Sequence, residues 1–162
     1  MNAVPSMRLM RAGEEERLLT LMRGLQAALG PMFDRMHAPE DIGRWYLDLM
    51  LAECAAHKGV VLIAEDRDEW VGYAILLKDV PSDDEPDEIA YSYAYLAELY
   101  VDARLRGEGL GQLMIAQCER LAREAGARWL RVTSLAANVG AMRLYRRAGF
   151  RDHLVTLEKP LN

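Results

Sequence analysis

Apolar positions recur along this chain first at helical and then at strand spacing. Leu18, Leu21, Met22, Leu25, Ala28 and Leu29 fall on one helical face until Gly30-Pro31 stops the run. A second helix is predicted from near Asp41, with Ile42, Trp45, Tyr46, Leu49 and Met50 as its apolar face and Gly59 as its terminator. Val60 to Ala64 is too short and too β-branched for a helix, and the charged turn at Asp66–Glu69 leads into a second apolar run, Trp70 to Leu77. The two runs read as an antiparallel hairpin. A strand from Tyr91 to Val101 follows, with Tyr91, Tyr93, Tyr95, Ala97, Leu99 and Val101 predicted on one face by alternation.

Helical spacing returns at Leu110, Leu113, Met114, Gln117, Cys118 and Leu121 and ends at Ala125-Gly126. A strand over Trp129–Leu135, a helix over Asn138–Ala148 and a last strand over His153–Leu157 complete the pattern, and Met7–Met10 supplies a short first strand. The order β-α-α-β-β-β-α-β-α-β predicts an α/β domain: a mixed, mostly antiparallel sheet flanked by helices. A right-handed βαβ crossover joins Val101 to Trp129.

With 162 residues, 51% hydrophobic and 28% charged, the whole of 1–162 is expected to fold as one domain around one core. Twenty basic residues against twenty-five acidic give a net charge of −5, which argues against nucleic acid or an anionic membrane as partner and favours cationic acceptors. The apolar runs are far shorter than a membrane span, and the first residues, Met1 to Ser6, lack the charged and apolar parts of a signal peptide, so a cytoplasmic location is expected. Cys54 and Cys118 lie within predicted helices without metal-ligand spacing and read as reduced, buried thiols. His37, His57 and His153 are scattered, which fits ordinary surface or loop histidines.

Candidate chemistry concentrates between strand and helix, at Arg106-Gly107-Glu108-Gly109-Leu110-Gly111-Gln112. Three glycines let the backbone turn tightly and approach a ligand, and their amides open onto a helix N-terminus, where unpaired N–H groups and the helix dipole favour phosphate. A P-loop would end in Gly-Lys-Ser/Thr, which is absent, and the dinucleotide fingerprint would need a glycine where Gln112 stands and an acid closing the following strand, where Arg131–Ser134 offers none. The spacing of Arg106, Gly109 and Gly111 resembles instead the acyl-CoA pyrophosphate signature of the GNAT superfamily of N-acetyltransferases. Downstream, Asn138, Ala141, Leu144, Tyr145, Gly149 and Phe150 are similar to the block that follows the CoA loop in that family, in the same order. The resemblance covers Leu96 to Leu157.

The resemblance implies an N-acetyltransferase with acetyl-CoA as cosubstrate, no metal, and direct attack by a primary amine, small or polycationic, within a ternary complex. A protein or peptide amine is the alternative acceptor, and a non-catalytic CoA-binding regulatory module the alternative class. A homodimer is what the resemblance implies about assembly. Residues Arg106 to Gln112 would hold the pyrophosphate, while the backbone of Leu99, Tyr100 and Val101 would meet the pantetheine arm. Asn138 has two compatible roles, capping the following helix and touching that arm. Tyr145 matches the family tyrosine that donates to the departing sulfur, its other reading being a core aromatic beside Leu144 and Phe150.

A lysine-like ammonium costs about 4.6 kcal/mol to deprotonate at neutral pH, so a proton acceptor is needed. Glu98 is the candidate, as base through a water or as holder of the ammonium, because alternation sets it opposite Leu99 and Val101. Otherwise it is a solvated glutamate on a sheet face. Acids at or near this position occur in amine-binding members of the family, and Tyr95–Val101 is similar to diamine acetyltransferases. Arg104 would meet the outer phosphates or be simply solvated. The five carboxylates between Pro81 and Glu88 read either as an attractor for a cationic acceptor or as a solvated connection.

Overall fold

The computed structural model describes residues 5–82 and 86–161. Five strands form one sheet in the order β1-β2-β3-β4-β5. They are β1 (Ser6–Leu9), β2 (Val60–Asp66), β3 (Glu69–Pro81), β4 (Ser92–Val101) and β5 (Leu130–Val132). The first three pairings are antiparallel and the last, β4 with β5, is parallel across helix α3 (Leu110–Glu124), so the predicted crossover is present. Helices α1 (Glu15–Leu29) and α2 (Arg44–Ala56) cover one sheet face, and α3 with α4 (Val139–Arg147) covers the other. Of the acidic connection, 83–85 lie outside the described residues.

The core is two-sided for that reason. Ile63, Tyr73, Ile75 and Leu77 pack beneath α1 and α2, while Leu62, Ala74, Leu76 and Leu96 pack beneath α3 with Met114, Ile115 and Cys118. A central strand buried on both faces reads as a continuous apolar run, and the stretch Trp70 to Leu77 is buried throughout. The hairpin between β2 and β3 closes through Arg67 (φ 49) and Asp68 (φ 69), both left-handed, which is the backbone twist a two-residue hairpin requires.

Several details differ from the sequence reading. Helix α2 begins at Arg44 after a single 3₁₀ turn, Pro39–Asp41, and buries Leu47 and Cys54 with Met50 and Leu51 packed beside them, leaving Trp45 and Leu49 half exposed. The stripe is rotated because the helix starts later. Gly59 is not its left-handed terminator. Lys58 takes that conformation (φ 52), and Gly59 is needed for space, since a Cβ there would lie 2.7 Å from the Cα of Cys54. On α3 the buried stripe runs through Leu110, Met114, Ile115, Cys118 and Ala122, with Leu113 turned outward.

The alternation predicted for β4 breaks at Ala97. Pairing is shifted so that Ile75 faces Glu98 while Leu76 faces Leu96, which leaves Ala97 as an extra residue in β4. Tyr95 and Ala97 therefore pack on the α1/α2 side, whereas Leu99 and Val101 pack on the α3 side. The expected single face from Tyr91 to Val101 is two half-faces joined by a bulge. The predicted last strand, His153–Leu157, is also absent: residues 151–161 have no regular structure and are exposed throughout. β5 is correspondingly short and forms the sheet edge.

Candidate active site

The site begins where β4 and β5 part. Ala94, Tyr95 and Leu96 pair with Leu130, Arg131 and Val132, after which β5 ends and β4 runs on to Val101 without a neighbouring strand on that side among the described residues. The backbone of Leu99, Tyr100 and Val101 borders the opening, a cleft of about 380 Å³ that also includes Arg106, Gly107, Gly109, Gly111, Gln112, Asn138 and Tyr145. One concavity thus collects two motifs some thirty residues apart. Unpaired strand groups at such a fork are available to the amides of an extended ligand.

The glycine-rich loop forms the anion end of the cleft. Gly107 (φ 84) and Gly109 (φ 88) are left-handed, a conformation that other residues adopt only under strain. Gly109 stands at the N-cap of α3 and no side chain caps that helix, so its first amides remain open. A Cβ on Gly111 would lie 3.0 Å from Cδ2 of Leu144, which shows how closely the start of α3 approaches α4. Arg106 lies back along β4, donating from Nε to the carbonyl of Val101 at 2.9 Å, with its guanidinium 5.7 Å from the Tyr100 ring centroid. Glu108 is exposed. Arg104 is held in ion pairs with Asp102 at 3.0 Å and Glu69 at 3.4 Å.

Sequence reasoning missed two cations on the opposite wall. Arg143 and Arg147, one turn apart on α4, line the cleft, and neither is in an ion pair among the described residues. With Arg106 they make a lining of three arginines and no carboxylate in a chain of net charge −5. The i, i+4 spacing of the two arginines around Leu144 was the available signal. A di- or triphosphate-like anion fits this electrostatic setting together with the open amides of α3.

Asn138 caps α4: its Oδ1 accepts from the amide of Ala141 at 3.1 Å while the residue borders the cleft. Tyr145 packs edge-on to Phe150, ring centroids 5.7 Å apart, and also lines the cleft, so core packing and access to the cleft coexist. Burial pushes its phenol up to about 12, with a smaller contribution from Tyr95.

Glu98 lies inside the protein. It is 9% exposed, so it is not a solvated surface glutamate, and it does not line the cleft. Its side chain lies on the α1/α2 side of β4, opposite Leu99 and Val101 as the alternation implied. There Oε2 accepts from the hydroxyl of Tyr73 at 2.7 Å and Oε1 from the hydroxyl of Tyr46 on α2. Burial raises the carboxyl above its ordinary range, while the two phenol donors pull it down. Tyr46 and Tyr73 themselves are raised, first by burial and then by the neighbouring carboxylate. Tyr46 and Tyr73 were legible only as apolar-face residues, although a buried tyrosine hydroxyl ordinarily requires a partner.

Over residues 25–150 the chain matches the model of the acetyltransferase (GNAT) family. The chain belongs to that family. The fold is similar to that of a tetramutant of the BH1408 protein from Bacillus halodurans (TM-score 0.83, 20% identity, 96% of this chain and 99% of that one). It is similar also to a GCN5-related N-acetyltransferase from Ralstonia eutropha JMP134 (TM-score 0.74, 18% identity, 97% and 98% covered). The aminoglycoside N-acetyltransferase AAC(6')-Iy in complex with CoA aligns with a TM-score of 0.67 at 16% identity, covering 96% and 99%. A comparison with curated proteins found no match. Among the described residues no cluster of His, Cys, Asp or Glu is arranged to hold a metal ion, and no helix is long and apolar enough to cross a membrane.

Proposed function

We propose that this GNAT-family protein transfers an acetyl group from acetyl-CoA to a primary amine by direct attack in a ternary complex. The carrying observation is the fork between β4 and β5 opening onto the uncapped, arginine-lined start of α3, with Tyr145 in the same cleft. Bound acetyl-CoA supplies the activated thioester. The chain's own groups then divide the work: the amides from Gly107 to Gln112 with Arg106, Arg143 and Arg147 take the phosphates, and Leu99, Tyr100 and Val101 align the pantetheine arm along the open strand edge. Asn138 serves as helix cap and as a polar contact to that arm. Tyr145 donates a hydrogen bond to the departing sulfur.

The acceptor approaches from the α1/α2 side of β4, the side on which Glu98 lies beneath Tyr46. We assign to Glu98 either removal of the amine proton through a water or retention of the ammonium before attack; burial raises its carboxyl above the ordinary range. A small or polycationic amine is favoured over a peptide. The net negative charge supports it, as does the similarity of fold to aminoglycoside acetyltransferases, including one from an uncultured soil metagenomic sample.

The experiment is thiol release from acetyl-CoA on mixing with a panel of diamines, aminoglycosides and short peptides, followed by mass spectrometry of the product. A mass gain of one acetyl group on a small amine is expected. Acetylation confined to peptides would move the assignment to a peptide acetyltransferase, and CoA binding without turnover on any amine would leave a binding module.

A further inference from the structure

We propose, resting on the reading of this cleft as an acetyl-transfer site, that the acceptor is a primary amine carried on an apolar body with no second charge, selected by a wall of Tyr100, Leu25, Ala28, Leu29 and Met32. The wall is the end of α1 and the 3₁₀ turn Gly30–Met32 that follows it, on the sheet face away from α3 and α4. The buried stripe of α1, Leu18, Leu21 and Met22, continues at helical spacing as Leu25, Ala28 and Leu29, which are only half-buried and border the cleft. Met32 is 37% exposed at its rim. Tyr100 completes the wall from β4, and Gly24 makes room for it. A Cβ on Gly24 would lie 2.7 Å from the Tyr100 hydroxyl oxygen and 2.8 Å from its Cζ, so the ring rests against the backbone of α1. Glycine weakens a helix interior; the seat for Tyr100 is what it provides here.

Charge decides what this wall can hold. Among the described residues no carboxylate borders the cleft, and the charged groups that do, Arg106, Arg143 and Arg147, are assigned to the phosphates of CoA. The Arg106 guanidinium itself stands 5.7 Å from the centroid of the Tyr100 ring. Glu98 lies outside the lining, with its oxygens already accepting from Tyr46 and Tyr73, and is assigned one ammonium or its proton. A second ammonium on the acceptor would lose its water against leucine, methionine and arginine with no counter-ion, whereas an alkyl or aryl body of the same length buries apolar surface there. Of the small and the polycationic acceptor, the wall therefore takes the small one.

The test compares hexylamine with 1,6-diaminohexane, equal in length and different by one ammonium, in steady-state thiol release at saturating acetyl-CoA. The kcat/KM for hexylamine is expected to be higher by about tenfold or more. Met32→Asp and Leu29→Asp, each checked for folding by circular dichroism, are expected to shrink that ratio by supplying a counter-ion, while the Kd for CoA measured by calorimetry holds. A diamine used as well as hexylamine overturns the proposal. So does a ratio unchanged in both variants, and so does a loss of CoA affinity with the ratio intact, which would mean that the wall covers the pantetheine arm. If no amine releases thiol, it is the acetyl-transfer reading that fails, and the wall is then read by calorimetry of the same two amines on the protein–CoA complex. Hexylamine bound about ten times more tightly supports the apolar site; equal affinities, or no binding of hexylamine, overturn it.

Discussion

Replacing Tyr145 by Phe removes one hydroxyl and leaves the ring against Phe150. The hydroxyl makes no hydrogen bond to another described residue, so the loss should stay within about 0.5 kcal/mol of stability, or a shift of roughly 2 °C in Tm. Its effect on catalysis follows from its acidity. A phenol held at about 12 facing a thiolate of ordinary pKa about 8.5 would transfer its proton uphill by roughly 3.5 units, near 4.8 kcal/mol. Full transfer is disfavoured at that cost. Donation of a hydrogen bond to the developing negative sulfur, worth about 1.5–3 kcal/mol for a charged partner, corresponds to a fall in turnover of about 10- to 150-fold. The assay is steady-state thiol release with calorimetry for CoA: kcat falls by that factor while the Kd for CoA and the Tm hold. Because burial keeps the donor protonated, wild-type turnover should also persist to pH 10 rather than fall there as it would with an ordinary tyrosine. Unchanged kcat in the variant, or a loss matched by unfolding, refutes the reasoning.

Gly109→Val forces a β-branched residue to φ 88 and should cost about 1–2 kcal/mol of stability together with CoA affinity; calorimetry beside thermal melting separates the two. Arg143→Ala and Arg147→Ala should each weaken CoA binding, and the weakening should shrink as salt rises, measured by titration at two ionic strengths. Glu98→Gln removes a carboxyl raised by burial. The unfolded chain ionises first, near 4.5, so the wild type loses stability as pH rises from there through the folded value; the Gln variant should lack that slope in urea titrations between pH 4 and 8. If Glu98 is the base, the variant's rate at neutral pH falls and partly recovers at higher pH, whereas a rise in KM for the amine alone marks a binding group. Tyr73→Phe withdraws one of the two donors to Glu98 and should destabilise the fold by about 1–3 kcal/mol, read by denaturation, with a further rise in the carboxyl's pKa.

The sequence by itself determined what depends on neighbours a few residues apart. Helical periodicity located α1, α3 and α4, the run Val60 to Leu77 announced a hairpin, and the spacing of Arg106, Gly109 and Gly111 marked the start of α3 as an anion site, because dihedral preference and open helix amides are local properties. Asn138 was legible as a cap for the same reason. Tertiary structure decided what depends on pairing between distant segments. The bulge at Ala97 brings Glu98 onto the same face as Tyr95 and Ala97, in among Tyr46 and Tyr73, residues fifty-two and twenty-five positions away. Arg143 and Arg147 join Arg106 only because α4 packs beside the glycine loop, and the segment predicted as a strand, His153–Leu157, pairs with no strand among the described residues. Strand propensity states a readiness to pair; which edge is open is fixed by the assembled sheet.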